Sequence, residues 1–490
     1  MKQRMSIKKT GEKQTAEQQT QRKQASSQEA QDKNLRDKQA GECLQATGAR
    51  SERQPSAGQL QRDLFWNTAG SLIYALSSMV LAFFVMRMAG AEEGGIFGFG
   101  FSTFGQQMFI VAYFGIRPVQ ITDVAERYSF AEYRRLRIVT CLFAAVGAFC
   151  FLALLQAAGR YTLYKAAVIW LLALYKIADG FADVYESECQ RAGKLYLGGR
   201  GLCFRTLLAM LALMAALLIS GSLLLAAAAG VAAQILGLWL FNMHPLREQV
   251  PGGECLLQRP RPGKASALCR ETALLFVSVF LDFYVFSAAK YAIDARLGDA
   301  ASGVFNILFM PTSVIYLVAN FVIKPFMTQL AAAFEAGDRV GFCRIRNRLT
   351  ALIAGLTLLA LCGVLLLGRP VLFLLEQVLG SVYSGKLTSE RFAFLLIILG
   401  GGVYALANLY YYILVILRRQ RAIFLVYALA ALFALLLAGG LVSRFGMIGA
   451  AACYLLLMLC LLAGFLLLGQ RFVQAAFAAR SVAKENGSKT

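Results

Sequence analysis

The sequence predicts an all-α integral membrane protein of about twelve transmembrane helices, arranged as two six-helix bundles related by a parallel pseudo-two-fold repeat. Three observations carry that reading. The 490 residues are 58% hydrophobic and 16% charged, with mean hydropathy +0.58, whereas soluble domains carry about 25% charge. Apolar runs such as "LIYALSSMVLAFFVM", "AALLISGSLLLAAAAGVAA" and "AACYLLLMLCLLAGFLLL" recur along the chain. About 20 apolar residues cross a bilayer core, and the backbone there must be helical to satisfy its own polar groups. One polar turn also occurs twice: "GAEEGGIF" from Gly90 aligns with "GDAASGVF" from Gly298, so that Gly95 falls on Gly303, Ile96 on Val304 and Phe97 on Phe305.

The chain begins with a polar segment, residues 1–63, rich in Gln, Lys, Glu and Ser and without an aromatic side chain. It cannot build a core and is expected to be a disordered cytoplasmic tail; no apolar stretch follows its basic start, as a signal peptide would require. The first bundle, 64–245, is expected to contain spans at roughly 64–88, 96–116, 138–158, 162–180, 201–219 and 222–242. The second, 272–470, is expected to contain spans at roughly 272–293, 302–323, 349–367, 391–417, 422–441 and 446–468. A cytoplasmic linker, 246–271, joins the bundles, and 471–490 forms a second cytoplasmic tail. The fourth span is the most polar, ending in "YKIADGFADVYESE".

The net charge of +21 does not point to nucleic acid, because the basic residues sit in short loops between apolar runs. Arg117, Arg127, Arg134, Arg135, Arg191, Arg200, Arg247, Arg344, Arg346, Arg418 and Arg419 fall on one side; Arg160, Arg296, Arg369, Lys386 and Arg444 are the sparser set on the other. The positive-inside rule then places both termini in the cytoplasm. The two copies of the turn are each the first external turn of a six-span half. An even number of spans per half gives both halves the same orientation, which is a parallel repeat with a cavity expected between the halves.

The eleven cysteines show no CxxC pair and no zinc spacing, and His244 is the only histidine. A two-histidine metal site is therefore excluded within the chain, and no catalytic triad assembles around His244. No phosphate-binding loop, nucleotide motif or paired-carboxylate motif is present, so neither an enzyme nor a bound cofactor is expected.

Ionisable residues inside spans cost about 2.5–3.5 kcal/mol to insert, which makes them functional candidates. They are Arg87, Arg117, Lys176 and Asp179 in the first half, and Asp282, Lys290, Asp294 and Lys324 in the second. At 3.6 residues per turn Asp282, Lys290 and Asp294 are expected on one face of the seventh span, looking into a wet cavity; the alternative is a local Lys290–Asp294 pair with the lysine reaching the interface. Arg87 and Arg117 read either as cavity cations or as anchors at the span ends. Ser102 and Gln106 share a face of the second span, either lining a path or bonding across helices.

The stretch "NTAGSLIYALSSMVLAFFVMRMAGAEEGGIFGFG", with Asn67, Arg87, Gly90, Glu92, Glu93, Gly95 and Phe97, resembles the start of polysaccharide transporters in the multidrug/oligosaccharidyl-lipid/polysaccharide exporter superfamily. "FGQQMFIVAYFGIRPVQITD" and "AAKYAIDARLGDAASGVFNILFMPTSVI" are similar to its O-antigen-flippase-like branch, the lipopolysaccharide or polysaccharide biosynthesis proteins. The resemblance implies a multi-pass protein of the bacterial cytoplasmic membrane that flips an undecaprenyl-pyrophosphate-linked oligosaccharide by alternating access. It implies membrane lipids and a lipid-linked oligosaccharide as partners, with glycosyltransferases and a polymerase of the same pathway nearby. Arg87, Arg117 and Lys290, with Ser102 and Gln106, are then the expected pyrophosphate and sugar contacts, and Asp282 and Asp294 the expected H+ or Na+ coupling residues. Arg forks suit a pyrophosphate because they donate in pairs. A drug/cation antiporter of the same superfamily is the alternative, and a membrane polysaccharide polymerase or ligase the more distant one, since no large external loop is present.

Overall fold

The computed structural model describes residues 57–123, 127–249 and 264–487. Nine helical runs among them are long and apolar enough to cross a membrane. Two of these runs, Gly58–Tyr113 and Gln420–Ala478, are each two helices divided at a glycine of positive φ, Gly90 and Gly446. The helix Leu163–Arg191, too charged to be counted by hydropathy, completes the twelve. In chain order they are α1 (57–89), α2 (91–113), α3 (Phe130–Ala157), α4 (Leu163–Arg191), α5 (Leu195–Ser220) and α6 (Leu223–Gly237, continued by Leu238–Met243 and His244–Gln249). The second set is α7 (Lys264–Arg296), α8 (Asp299–Glu335), α9 (Arg339–Leu379), α10 (Arg391–Ile416), α11 (420–445) and α12 (447–487).

Each set closes on its own apolar core. Leu81, Phe97, Phe101, Leu172 and Leu213 meet in the first, and Ile293, Phe305, Phe309, Ile397 and Leu461 in the second. The expected two six-helix bundles are therefore present. The repeated turn is their meeting point. Gly90 (φ 89°, ψ −173°) and Gly298 (φ 85°, ψ −178°) adopt the same backbone conformation, one that a side chain disfavours. Five residues on, the repeated glycines let α2 and α8 touch. A Cβ on Gly95 would overlap the Asp299 carbonyl, and one on Gly303 would lie 3.1 Å from the Ala91 carbonyl oxygen and 3.3 Å from Gly95 Cα. Small residues are what allow helices in lipid to approach this closely. Phe97 and Phe305 are both buried beside the contact.

Several boundaries differ from the expectation. The tail predicted over 1–63 ends sooner: α1 starts at Ala57, and the Asp63 carboxylate accepts the Tyr196 backbone N–H at 2.7 Å; residues 1–56 lie outside the described residues. The predicted linker 246–271 is helical from Lys264 onward and through Gln249. The predicted tail 471–490 continues α12 to Gly487, and Phe477 packs against Phe334 and Phe342 with ring centroids 5.7 and 5.8 Å apart. The reason is common to all three: polar residues end a hydropathy window but not a helix, whose turns run on past the hydrocarbon. The ninth span, expected over roughly 349–367, runs on in the same way. α9 reaches Leu379, and the return to α10 is gathered by Glu376, which accepts from the backbone N–H groups of Gly385, Leu387 and Thr388 and from the Thr388 hydroxyl.

Candidate functional site

A cavity of about 350 Å³ lies between the bundles, walled by α1, α2 and α4 on one side and by α7 and α8 on the other. In α2 the helix widens into a π-helical turn at Gly100–Phe104, a distortion that re-aims side chains at functional sites. Ser102 and Gln106 face the cavity from there. Tyr74, Ser78, Asn306 and Ser313 add polar groups, and the Tyr74 hydroxyl and Asn306 Oδ1 are buried without a partner.

Two lysines set the charge of the cavity. Lys176 Nζ stands 4.0 Å over the ring of Phe101, and Lys290 Nζ 4.2 Å over the ring of Phe309. Each phenylalanine comes eleven residues after its turn glycine, so the two rings are equivalent in the repeat. The lysines are not: one comes from α4 and the other from α7. An aromatic face attracts a cation without neutralising it. No carboxylate is found among the described residues that line the cavity.

Behind Lys176 the same helix carries Asp179, Asp183 and Glu186, all buried. Arg205 donates to Asp179 at 2.9 Å and to Glu186 at 3.1 Å. Asp183 accepts from Arg117 at 2.6 Å and from Arg137 at 2.8 Å, and Arg137 also donates to the Ala112 carbonyl at 3.0 Å. Such pairing offsets the cost of taking these charges out of water.

At the Gly90 end the bundles are held together by ions. Lys165 Nζ lies 2.8 Å from Asp294 Oδ1 and 2.6 Å from Asp299 Oδ1, so one α4 cation bridges α7 and α8. The Tyr161 hydroxyl donates to the other oxygen of Asp294, and Tyr164 donates to Glu93 at 3.1 Å.

Of the residues predicted from the sequence, Ser102, Gln106 and Lys290 meet in the cavity; Arg87 and Arg117 do not. Arg87 is exposed at the Gly90 end with its guanidinium against Gly380, and Arg117 is taken by Asp183 and by Gln190 at 3.0 Å. Asp282, Lys290 and Asp294 form neither a common stripe nor a Lys290–Asp294 pair. Eight residues turn a helix about 80° past two full turns, which aims Asp282 away from Lys290 into the second bundle. Its carboxylate accepts from the Tyr404 hydroxyl at 3.1 Å. Asp294 takes Lys165 in place of Lys290. The Lys324 side chain lies outside the described residues.

Sequence reading missed a polar cluster that starts one turn along α10 from Tyr404, the partner of Asp282. The Asn408 amide donates to Asn320 at 3.2 Å, and the Tyr412 hydroxyl donates to the same oxygen at 3.3 Å. The stretch "YALANLYYY" held the signal, since Tyr404, Asn408, Tyr411 and Tyr412 recur at helical spacing within an apolar span. No group of three or more His, Cys, Asp or Glu residues able to hold a metal ion is present among the described residues.

The chain shares its fold with solved transporters, among them ones described as of the MOP superfamily. In particular, it is similar to an inward-facing multidrug resistance MATE family transporter, with a TM-score of 0.68 at 12% identity over 82% of this chain and 95% of that one. A eukaryotic MATE transporter matches with a TM-score of 0.57 at 12% identity, over 86% and 99% of the two chains. A MOP superfamily transporter from Pyrococcus furiosus matches with a TM-score of 0.54 at 12% identity, over 85% and 96%. No family model and no curated protein matches the sequence.

Proposed function

We propose that this chain is an alternating-access membrane transporter of an anionic, lipid-linked substrate, with undecaprenyl-pyrophosphate oligosaccharide as the specific candidate. The observation that carries the reading is the pair of cavity lysines, Lys176 and Lys290, with no lining carboxylate to offset them. Ammonium groups held on aromatic rings still have their N–H donors to offer a ligand phosphate. The lining adds Ser102, Gln106 and Asn306 for hydroxyl-rich groups, while Leu76, Val314 and Leu317, 43%, 52% and 42% exposed, leave an apolar border at its mouth for a lipid chain. The Pyrococcus furiosus neighbour is described as having a binding pocket of reverse polarity that suggests a different function, which makes an anion-selective member of this fold reasonable. With the arginine-rich end in the cytoplasm, an inside-negative potential assists export of an anion by about 2.3 kcal/mol per charge per 100 mV. Asp282, which accepts from the Tyr404 hydroxyl, is the residue we assign to H+ or Na+ coupling.

The second reading is a drug/cation antiporter, favoured by the multidrug transporter among the solved neighbours. One binding experiment separates the two. The purified protein is titrated with farnesyl pyrophosphate, with neutral farnesol, and with the cation tetraphenylphosphonium. The anion reading expects farnesyl pyrophosphate to bind best and Lys290→Gln to weaken it roughly tenfold, the weight of one charge-assisted contact. Tight tetraphenylphosphonium binding, with farnesyl pyrophosphate no better than farnesol, would overturn it in favour of the antiporter.

A further inference from the structure

Lys176 stands one helical turn before Asp179, a carboxylate well placed to cancel it. It does not do so. Asp179 Oδ1 accepts from Arg205 Nη1 at 2.9 Å and from Gln234 Nε2 at 3.0 Å. Oδ2 accepts no hydrogen bond and lies 4.0 Å from Lys176 Nζ, about 1 Å beyond a charge-assisted hydrogen bond. Glu186 is likewise occupied, by Arg205 Nη2 at 3.1 Å and Asn242 Nδ2 at 3.3 Å, and Asp183 holds Arg117 and Arg137. Three carboxylates thus face three arginines, and Lys176 keeps only the 4.0 Å contact with Asp179.

We propose that Arg205 is a specificity-determining positioning residue: by occupying Asp179 and Glu186 it withholds them from Lys176, and so leaves the lysine's charge to an anion in the cavity. The proposal rests on the anion reading above. An arginine suits the task because its planar fork reaches two acids at once, which a lysine cannot do with fixed geometry. Its position is built in: the side chain is buried and lies along Gly237, where a Cβ would come within 2.9 Å of Arg205 Cγ. The wider turn Leu238–Met243 begins at the next residue and supplies Asn242 to Glu186. Without Arg205, Asp179 would be a buried carboxylate whose nearest cation is Lys176. Closing that gap would lift the ammonium off the Phe101 ring and neutralise it toward the cavity.

The test is farnesyl pyrophosphate binding to purified full-length protein, with thermal unfolding recorded for every variant. Lys176→Gln should weaken binding roughly tenfold; if it leaves binding unchanged, the anion reading falls and this proposal with it. Arg205→Gln should weaken binding as much as Lys176→Gln does, although Lys176 is intact. Asp179→Asn should tighten binding, and adding it to Arg205→Gln should return affinity to within about threefold of the parent protein. A purely structural Arg205 would lower stability without rescue by Asp179→Asn. Where Lys176→Gln weakens binding but Arg205→Gln does not, or Asp179→Asn weakens it, the anion reading stands and the role of Arg205 is refuted. Should Arg205→Gln alone fail to fold, the direction of the Asp179→Asn change decides.

Discussion

In the first bundle the carboxylates of α4 are held by arginines: Asp183 lies between Arg117 and Arg137, and Asp179 and Glu186 share Arg205. In the second bundle Asp282 accepts from the Tyr404 hydroxyl and forms no ion pair among the described residues, while Lys290 rests on a phenyl ring. The two halves come from one repeated plan, with matching turns at Gly90 and Gly298 and matching rings at Phe101 and Phe309, yet they handle buried charge differently. Fixed pairs hold the acids of the first bundle and leave Lys176 with one long contact, 4.0 Å from Asp179. A carboxylate met only by neutral donors has two accessible charge states, which is what coupling to an ion requires.

The sharpest way to break this contrast is to remove one partner on each side. Arg137 is completely buried and bridges Asp183 and the Ala112 carbonyl. Arg137→Gln should cost about 1.5–3 kcal/mol of stability, because it removes one buried charge-assisted hydrogen bond from Asp183, which keeps only Arg117. Asp282→Asn should cost less than about 1 kcal/mol, since an amide oxygen still accepts from the Tyr404 hydroxyl. Its effect belongs instead to transport: in proteoliposomes the variant should lose its response to an imposed H+ or Na+ gradient. Equal destabilisation by the two substitutions, or an unchanged gradient response, would erase the distinction between the bundles.

A middle-sized effect is expected where the bundles meet. Lys165 with Asp294 and Asp299 ties α4 to α7 and α8 at the Gly90 end, and separation there must break both contacts. Lys165→Gln should raise the population opened at that end by roughly tenfold, within the usual range of coupling between two states. Spin labels at Arg160 and Leu297, on opposite bundles, would report it as a longer-distance component. A distance distribution identical to that of the parent protein would show that the ion pairs do not hold the end closed.

The spans were legible because hydrophobic runs of bilayer length have few alternatives, and the halves because Gly90 and Gly298 need a backbone that glycine alone adopts readily. Helix ends were less legible, since the turns that leave the membrane look like loops by composition; Ala57, Lys264 and Gly487 are the outcome. Ser102, Gln106 and Lys290 could be read as cavity residues because a polar group in an apolar span is costly wherever it has no use. Arg87 and Arg117 carried the same mark for a different reason. Whether a cation at a span end serves a ligand or a neighbour depends on what lies across the bundle. For Arg117 that is Asp183, sixty-six positions away in the chain, which no local pattern encodes.

The smallest expected effect lies outside the spans, at the turn between α2 and α3. Burial pushes the Asp123 carboxyl up, but the backbone N–H groups of Tyr128 and Arg127, each at 3.0 Å, and the Tyr133 hydroxyl at 2.9 Å outweigh it and hold the group below the usual aspartate range. A lowered folded-state value means that the charged form stabilises the fold. That contribution is complete above the unfolded value of about 3.9 and fades as pH falls through the lower folded value. Asp123→Asn should therefore cost about 1 kcal/mol at neutral pH, keeping some acceptor capacity but losing the charge. The gap in unfolding midpoint between parent and variant should narrow only below about pH 4. A gap that stays constant down to pH 3, or one that closes already near pH 6, would mean that the charge of Asp123 is not what orders this turn, in contrast to the arginine-matched acids of the neighbouring α4.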